Sequence, residues 1–398
     1  MARSRKKAQR FIGVGDLVIG LRERKYVNQV LDSNRLSYGP MTQRFEELFA
    51  REHGCRFAIF MNSGTSALQV ALQAMKEAGG WKDGDEVLVP AVTFVATSNI
   101  VIHNRLKPVF VDVDPRTYNL DPKLLEAKIT RRTRAIIPVH LLGLPADMDA
   151  VMRIARRHKL KVLEDSCETM FARYKGRPVG SLGHMACFST YIAHYIVAGV
   201  GGFVTTNDPD LALRVKSLMN HGRDSIYLHI DDDKGKRGKA LFELVSRRFS
   251  FTSVGHSFRA TELEAAIGLA QLERKDDIVR RRLSVAHGYL KGLAGLEAHL
   301  QLPMVPEGSE HVYMLFPLVV KNEPKRGLIE HLESNGVETR DLLPLLNQPV
   351  YRRLFGDLEK RYPVARFLNQ HAFYIGCHQY VTPADRRRVC GLIRRYFQ

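Results

Sequence analysis

The 398-residue chain has only five cysteines, one tryptophan and no apolar run near the about 18 residues that a membrane-spanning helix requires. A membrane partner is therefore not expected. Cys55, Cys167, Cys187, Cys377 and Cys390 are scattered, odd in number and free of any CxxC pair. That spacing supports neither a disulfide framework nor a metal site, and thiols packed as small hydrophobes in a reducing cytoplasm are expected. The N-terminal MARSRKKAQR lacks the apolar core of a secretory signal, so residues 1–10 read as a basic, disordered tail.

Acidic residues are also in deficit: 42 Asp and Glu against 60 Lys and Arg give a formal charge of +18. Such a surplus can release counterions from nucleic-acid phosphates. Here, however, the basic residues lie along amphipathic segments such as RIARRHKLK (153–161) and RRRLSVAHGYLKG (280–292). No aromatic-basic RNA motif or zinc-finger spacing accompanies them, so nucleic acid is not an expected partner. A solvated basic surface that attracts an anionic small substrate is the reading retained.

What is present is alternation. RFAIFM (56–61), EVLVP (86–90), KPVFVDV (107–113), RAIIPVH (134–140) and KLKVLED (159–165) are apolar runs. Helix-like stretches follow them, among them SALQVALQAMKEA, FVATSNIVIH, DPKLLEAKI and DMDAVMRIARRH. This order predicts an α/β fold with a large, mostly parallel sheet covered by helices on both faces. Ligands of such sheets gather at the carboxyl ends of the strands. The predicted division is a large α/β domain over 11–258, then a long helix and a smaller α+β domain over 259–398. The charged stretch DDDKGKRGK (231–239) reads as an exposed loop.

Three segments can carry chemistry. Asn62-Ser63-Gly64-Thr65-Ser66-Ala67-Leu68 joins a strand to an apolar-periodic helix, and free N–H groups at a helix start suit a phosphate. An ordinary N-capped helix would look the same. Val162-Leu163-Glu164-Asp165 ends an apolar strand in acids, where an aspartate can pair with a pyridinium nitrogen or simply end a strand. The third segment runs Gly180-Ser181-Leu182-Gly183, Cys187 to His194, then Gly199-Val200-Gly201-Gly202. Its glycines permit close backbone approach, and its histidine is by itself most simply structural.

In this order, and with SYGPMTQRFEELFA, VPAVTFVATSNIV, HLLGLPADMDAV, ELEAAIGLAQLERKDD and GVETRDLLPLLNQPVY, the chain resembles the DegT/DnrJ/EryC1/StrS family of nucleotide-sugar aminotransferases over almost its whole length. The resemblance implies an aspartate-aminotransferase-like fold (fold type I), a homodimer and a pyridoxal-derived cofactor. It implies that Gly64, Thr65 and Ser189 hold the cofactor phosphate, that Phe94 stacks on the ring and that Asp165 meets the ring nitrogen. Glu168 falls where the aminotransferases place a glutamine. Ser257 falls where they place an asparagine that reaches a phosphate across the dimer. His221, Arg223, Arg259, Arg340 and His378 fall at substrate-side positions.

The main departure is His194. Family aminotransferases read approximately FHPTKN here, with a lysine five residues after the phosphate-binding serine; five residues after Ser189 stands His194. Without an ε-amine no covalent tether to a cofactor aldehyde can form. The same exchange, in the form PAHH, marks the family's nucleotide-sugar 3-dehydratases, such as GDP-4-keto-6-deoxymannose 3-dehydratase. Ile192-Ala193-His194-Tyr195 is similar to that variant but lacks the proline and the second histidine. Imidazole moves protons near neutrality, so His194 is the expected acid/base with a noncovalently held pyridoxamine 5'-phosphate (PMP) or pyridoxal 5'-phosphate (PLP). The expected substrate is a nucleotide-diphosphate sugar of the 4-keto-6-deoxy class, which loses its C3 hydroxyl, and glutamate is an example of the amino donor that restores PMP. No cysteine lies between Cys187 and Cys377, so no iron–sulfur cluster is expected. Two alternatives stay open: an aminotransferase or other lysine-free PLP enzyme, and a noncatalytic binding protein on the same fold.

Overall fold

The computed structural model describes residues 10–225, 228 and 232–398. The tail expected at 1–10 lies, except for Arg10, outside the described residues.

Nine strands come first in the chain: Phe57–Met61 (β1), Glu86–Pro90 (β2), Lys107–Val111 (β3), Thr133–Ile136 (β4), Lys161–Asp165 (β5), Arg173–Tyr174 (β6), Arg177–Pro178 (β7), Met185–Ser189 (β8) and Gly202–Thr206 (β9). Seven of them form one sheet in the order β1-β9-β8-β5-β4-β2-β3, while β6 and β7 pair separately. The pairs β2/β3, β2/β4, β4/β5 and β5/β8 are parallel. Only β9 runs against its neighbours β1 and β8. Strands β2, β8 and β9 are buried along their whole length, which explains why they read as continuous apolar runs without alternation. Helices Gly64–Gly79, Val95–His103 and Met148–Arg157 connect the strands, and Phe45, Phe49, Phe60, Phe188 and Phe203 anchor the core.

The second sheet is antiparallel, in the order β10 (Leu300–Gln301), β11 (Leu315–Val320), β13 (Ala372–Gly376), β12 (Thr339–Asp341). It shares a separate core of Tyr289, Phe316, Phe373 and Ile393 with helices Lys275–Leu293, Arg326–Ser334 and Pro383–Phe397.

Two expectations fail locally. The helix predicted to run unbroken from 259 is two helices, Glu262–Leu272 and Lys275–Leu293. The break is set by packing: Glu273 accepts bonds from Arg22, Tyr26 and Arg44, and Arg274 pairs with Glu23, so the N-terminal helices Leu21–Ser33 and Pro40–Glu52 hold the chain at the turn. Asp276 and Asp277 then favour a new helix start. The stretch DPKLLEAKI forms two short 3₁₀ turns, Pro122–Leu124 and Glu126–Lys128, capped by Asp121. Among the described residues no helix is long and apolar enough to cross a membrane, and no three His, Cys, Asp or Glu side chains are grouped to hold a metal ion.

Candidate active site

The chemistry-bearing segments meet at the carboxyl ends of the parallel strands. β1 ends just before helix Gly64–Gly79, whose cap is Ser63: its Oγ accepts from Ser66 N at 3.0 Å. Gly64 and Thr65 stand at the open end of that helix, where first-turn N–H groups point outward. β8 ends at Ser189, opposite Gly202 of β9, and Ser63 bridges to Gly201. Gly64 sits so close to this junction that a Cβ there would stand 2.7 Å from Ser189 Cβ and 2.9 Å from Cys167 Sγ. Only glycine lets the helix start pack this closely against Ser189 and Cys167.

Asp165, at the end of β5, is buried. Its Oδ2 accepts from Thr97 Oγ1 at 2.7 Å and its Oδ1 from Cys167 N at 3.1 Å. Burial raises its pKa, and the bonds from Thr97 and Cys167 work against that rise. Thr97 belongs to helix Val95–His103, which Phe94 opens; the Phe94 ring is 57% exposed. Glu168, three residues beyond Asp165, accepts from Leu142 N at 3.0 Å. Desolvation, with some help from Asp165, pushes its carboxyl up to about 7.

His194 lies in the loop between β8 and β9 and is partly buried. Its own N–H donates to Tyr191 O at 2.9 Å. Burial drives the imidazole down to about 4; the Cys167 backbone opposes this and the Arg282 charge adds to it. Its Nδ1 is buried without a hydrogen-bond partner among the described residues. The N-terminal segment braces the loop from outside: a Cβ on Gly15 would stand 2.8 Å from Ala193 Cα. Cys167 thus links Asp165, Gly64, Ser189 and His194 into one cluster.

The remaining predicted residues lie in other places. Arg259 Nη2 is 3.1 Å from Ser257 Oγ and 3.3 Å from His221 Nε2. Ser257, Arg259 and Arg223 border a cavity of about 570 Å³ that Tyr38, Glu46 and Lys216 also line. In it Glu46 is pushed up to about 7 by burial. Arg340, on β12, pairs with Glu338. His378 is buried, beside the Arg282 charge, and desolvation lowers it to about 4. Thr97, Cys167, Glu46 and Arg282 escaped the sequence reading. Thr97 carried a signal: it is one helical turn beyond Phe94.

A model of the DegT/DnrJ/EryC1/StrS aminotransferase family matches residues 18–394. GDP-perosamine synthase of Caulobacter vibrioides is 38% identical over 376 residues, 93% of this chain and 94% of its own. The dTDP-4-dehydro-2,6-dideoxy-D-glucose 3-dehydratase of Saccharopolyspora spinosa is 31% identical over 363 residues, 87% of this chain and 78% of its own. The structure of E. coli GDP-4-keto-6-deoxy-D-mannose-3-dehydratase with bound hydrated PLP superposes with a TM-score of 0.86 at 25% identity, covering 96% of this chain and 98% of that one. The fold is that of the fold type I aminotransferases, and the chain belongs to the DegT/DnrJ/EryC1/StrS aminotransferase family.

Proposed function

We propose that this protein is a PMP/PLP-dependent 3-dehydratase acting on a nucleotide-linked 4-keto-6-deoxy sugar. The observation that carries the reading is His194: an imidazole, and no lysine, stands five residues after Ser189 and meets the Cys167 backbone inside the cluster of Asp165, Ser189 and Gly64. The residues present fit a pyridoxal-type cofactor. Gly64 lets the helix end pack directly against Ser189, and His194 Nδ1 is a buried polar atom left without a protein partner among the described residues.

The helix end at Gly64 and Thr65, with the Ser189 hydroxyl, would hold the phosphate. Asp165, steadied by Thr97, would meet the ring nitrogen, and the exposed Phe94 would cover a ring face. When bound, the cofactor supplies an electron sink next to the sugar carbons. Glu168, near half-protonation at neutral pH, can give or take a proton where the aminotransferases have an amide. At neutral pH the His194 imidazole is uncharged, so one ring nitrogen can accept a proton. The imidazole can take up a proton and return it. Loss of the C3 hydroxyl then needs no covalent tether to the chain. A second reading, amino transfer, draws on the 38% identity to a perosamine synthase and on Tyr195, a buried residue where the dehydratases carry a second histidine.

The test is incubation of the protein with PMP, glutamate and a panel of 4-keto-6-deoxy nucleotide sugars, followed by mass analysis. A 3-deoxy product and released ammonia are expected. An aminated product that retains its C3 oxygen would replace this reading with the second one. His194→Asn is expected to abolish the reaction while leaving PMP binding near the wild-type level.

A further inference from the structure

Arg282, midway along helix Lys275–Leu293, is among the largest fully buried side chains of the protein, at 1% exposure. Among the described residues no carboxylate pairs with it. A guanidinium this deep is costly unless its donors and charge are used. Its donors reach two main-chain carbonyls from different parts of the fold: Nη2 lies 2.8 Å from His194 O, and Nη1 lies 2.8 Å from Met314 O. Met314 immediately precedes β11 of the second sheet. The guanidinium carbon stands 4.9 Å over the centre of the Tyr195 ring, and Cys377 Sγ contacts the Arg282 carbonyl at 3.7 Å.

We infer that Arg282 is a positioning residue for His194: its guanidinium clamps the main chain of the His194 loop to the entrance of β11 and sets an unpaired positive charge against that loop. The inference deepens the dehydratase reading and rests on it only for the role of His194. The ring carried by a loop gains a fixed place through one bond at its own carbonyl, braced from the other side by Gly15. Methionine would keep most of the packing and lose both bonds and the charge. Lysine would keep the charge, but a single ammonium cannot present the planar fork that reaches two separated carbonyls.

The titratable and charged groups around the ring are few. Asp165 and Glu168 flank Cys167, Tyr191 and Tyr195 share the loop, Asp16 follows Gly15, and His378 and Tyr380 lie within reach of the Arg282 charge. Of these, Arg282 is the one whose charge acts on His194, and it bears on His378 in the same direction.

The experiment follows the imidazole by ¹⁵N NMR in histidine-labelled, cofactor-free protein, with the His194 signal identified by its loss in His194→Asn. In wild type and Arg282→Lys the ring is expected to stay neutral down to about pH 5, and in Arg282→Met its midpoint is expected to rise by about one unit. An unmoved midpoint in a natively folded Arg282→Met protein overturns the electrostatic half. If that variant does not fold, Arg282→Lys carries the test through amide exchange. Faster exchange over residues 190–198, with helix Lys275–Leu293 still protected, is expected; unchanged protection of the loop overturns the clamp. Both measurements omit substrate. Full activity in His194→Asn would therefore remove the dehydratase reading and leave the Arg282 result standing.

Discussion

Thr97 Oγ1 donates to Asp165 Oδ2 at 2.7 Å, and Thr93 Oγ1 stands 2.7 Å behind Thr97. Because the Thr97 proton points at the carboxylate, Thr93 must donate to Thr97, and the relay opposes the rise that burial imposes on the Asp165 carboxyl. Thr97→Val keeps the shape and removes a bond to a charged group. The expected result is a cofactor dissociation constant weakened on the order of tenfold, read by absorbance titration with PLP. Unaltered affinity would mean that Asp165 does not depend on Thr97 in meeting the cofactor.

A second prediction concerns space. Around Gly64 the nearest atoms to an added Cβ belong to Ser189, Cys167 and the Phe188 carbonyl, none of them the end of a long flexible side chain. Gly64→Ala is therefore expected to cost about 1 to 3 kcal/mol through overpacking. By pushing the helix start away from Ser189, it should also disturb the phosphate seat that the two would form together. Wild-type protein should gain melting temperature on addition of PLP, and the variant should gain little or none.

The sequence showed much of this site because its parts sit at strand ends, where glycine, serine and aspartate interrupt apolar runs. It could not show the direction of β9: Gly202–Thr206 is as fully buried as the parallel strands β2 and β8, and only the course of the loop carrying His194 turns it around. The helix break after Leu272 was equally hidden, since Glu273 and Arg274 are good helix formers until the two N-terminal helices bind them. Arg282 was legible in principle. It shares the stripe of Ile278, Val285, Ala286, Tyr289 and Leu293, the buried face of its helix, whereas Arg280 and Arg281 of the same run pair with Asp277 outside.

Restoring the family's lysine gives a third prediction. His194→Lys places an ε-amine in the cluster of Asp165 and Ser189. The variant is expected to attach PLP covalently, so that borohydride treatment leaves the chain heavier by one cofactor in intact-mass analysis. The wild-type chain, treated in the same way, should keep its mass. Covalent labelling of the wild type would show that another lysine anchors the cofactor and would remove the basis for a noncovalent coenzyme.

The fourth prediction tests how burial couples to pH. His53 is wholly buried between Phe49, Phe171 and Phe188; its Nδ1 lies 2.8 Å from Val179 O, and desolvation lowers its pKa to about 4. In the unfolded chain the same ring takes its proton near pH 6.5. Between these values the unfolded state binds more protons, so stability is full above about pH 6.5 and falls as the pH drops toward 4, by on the order of 3 kcal/mol from this residue. The raised carboxyls of Glu46 and Glu168 act in the opposite sense, because their folded forms hold protons that the unfolded chain releases. Those contributions are common to wild type and a His53→Phe variant and cancel in the comparison. The variant should therefore lose less melting temperature than wild type between pH 7.5 and pH 5, while equal losses would show that His53 is not neutral in the folded protein.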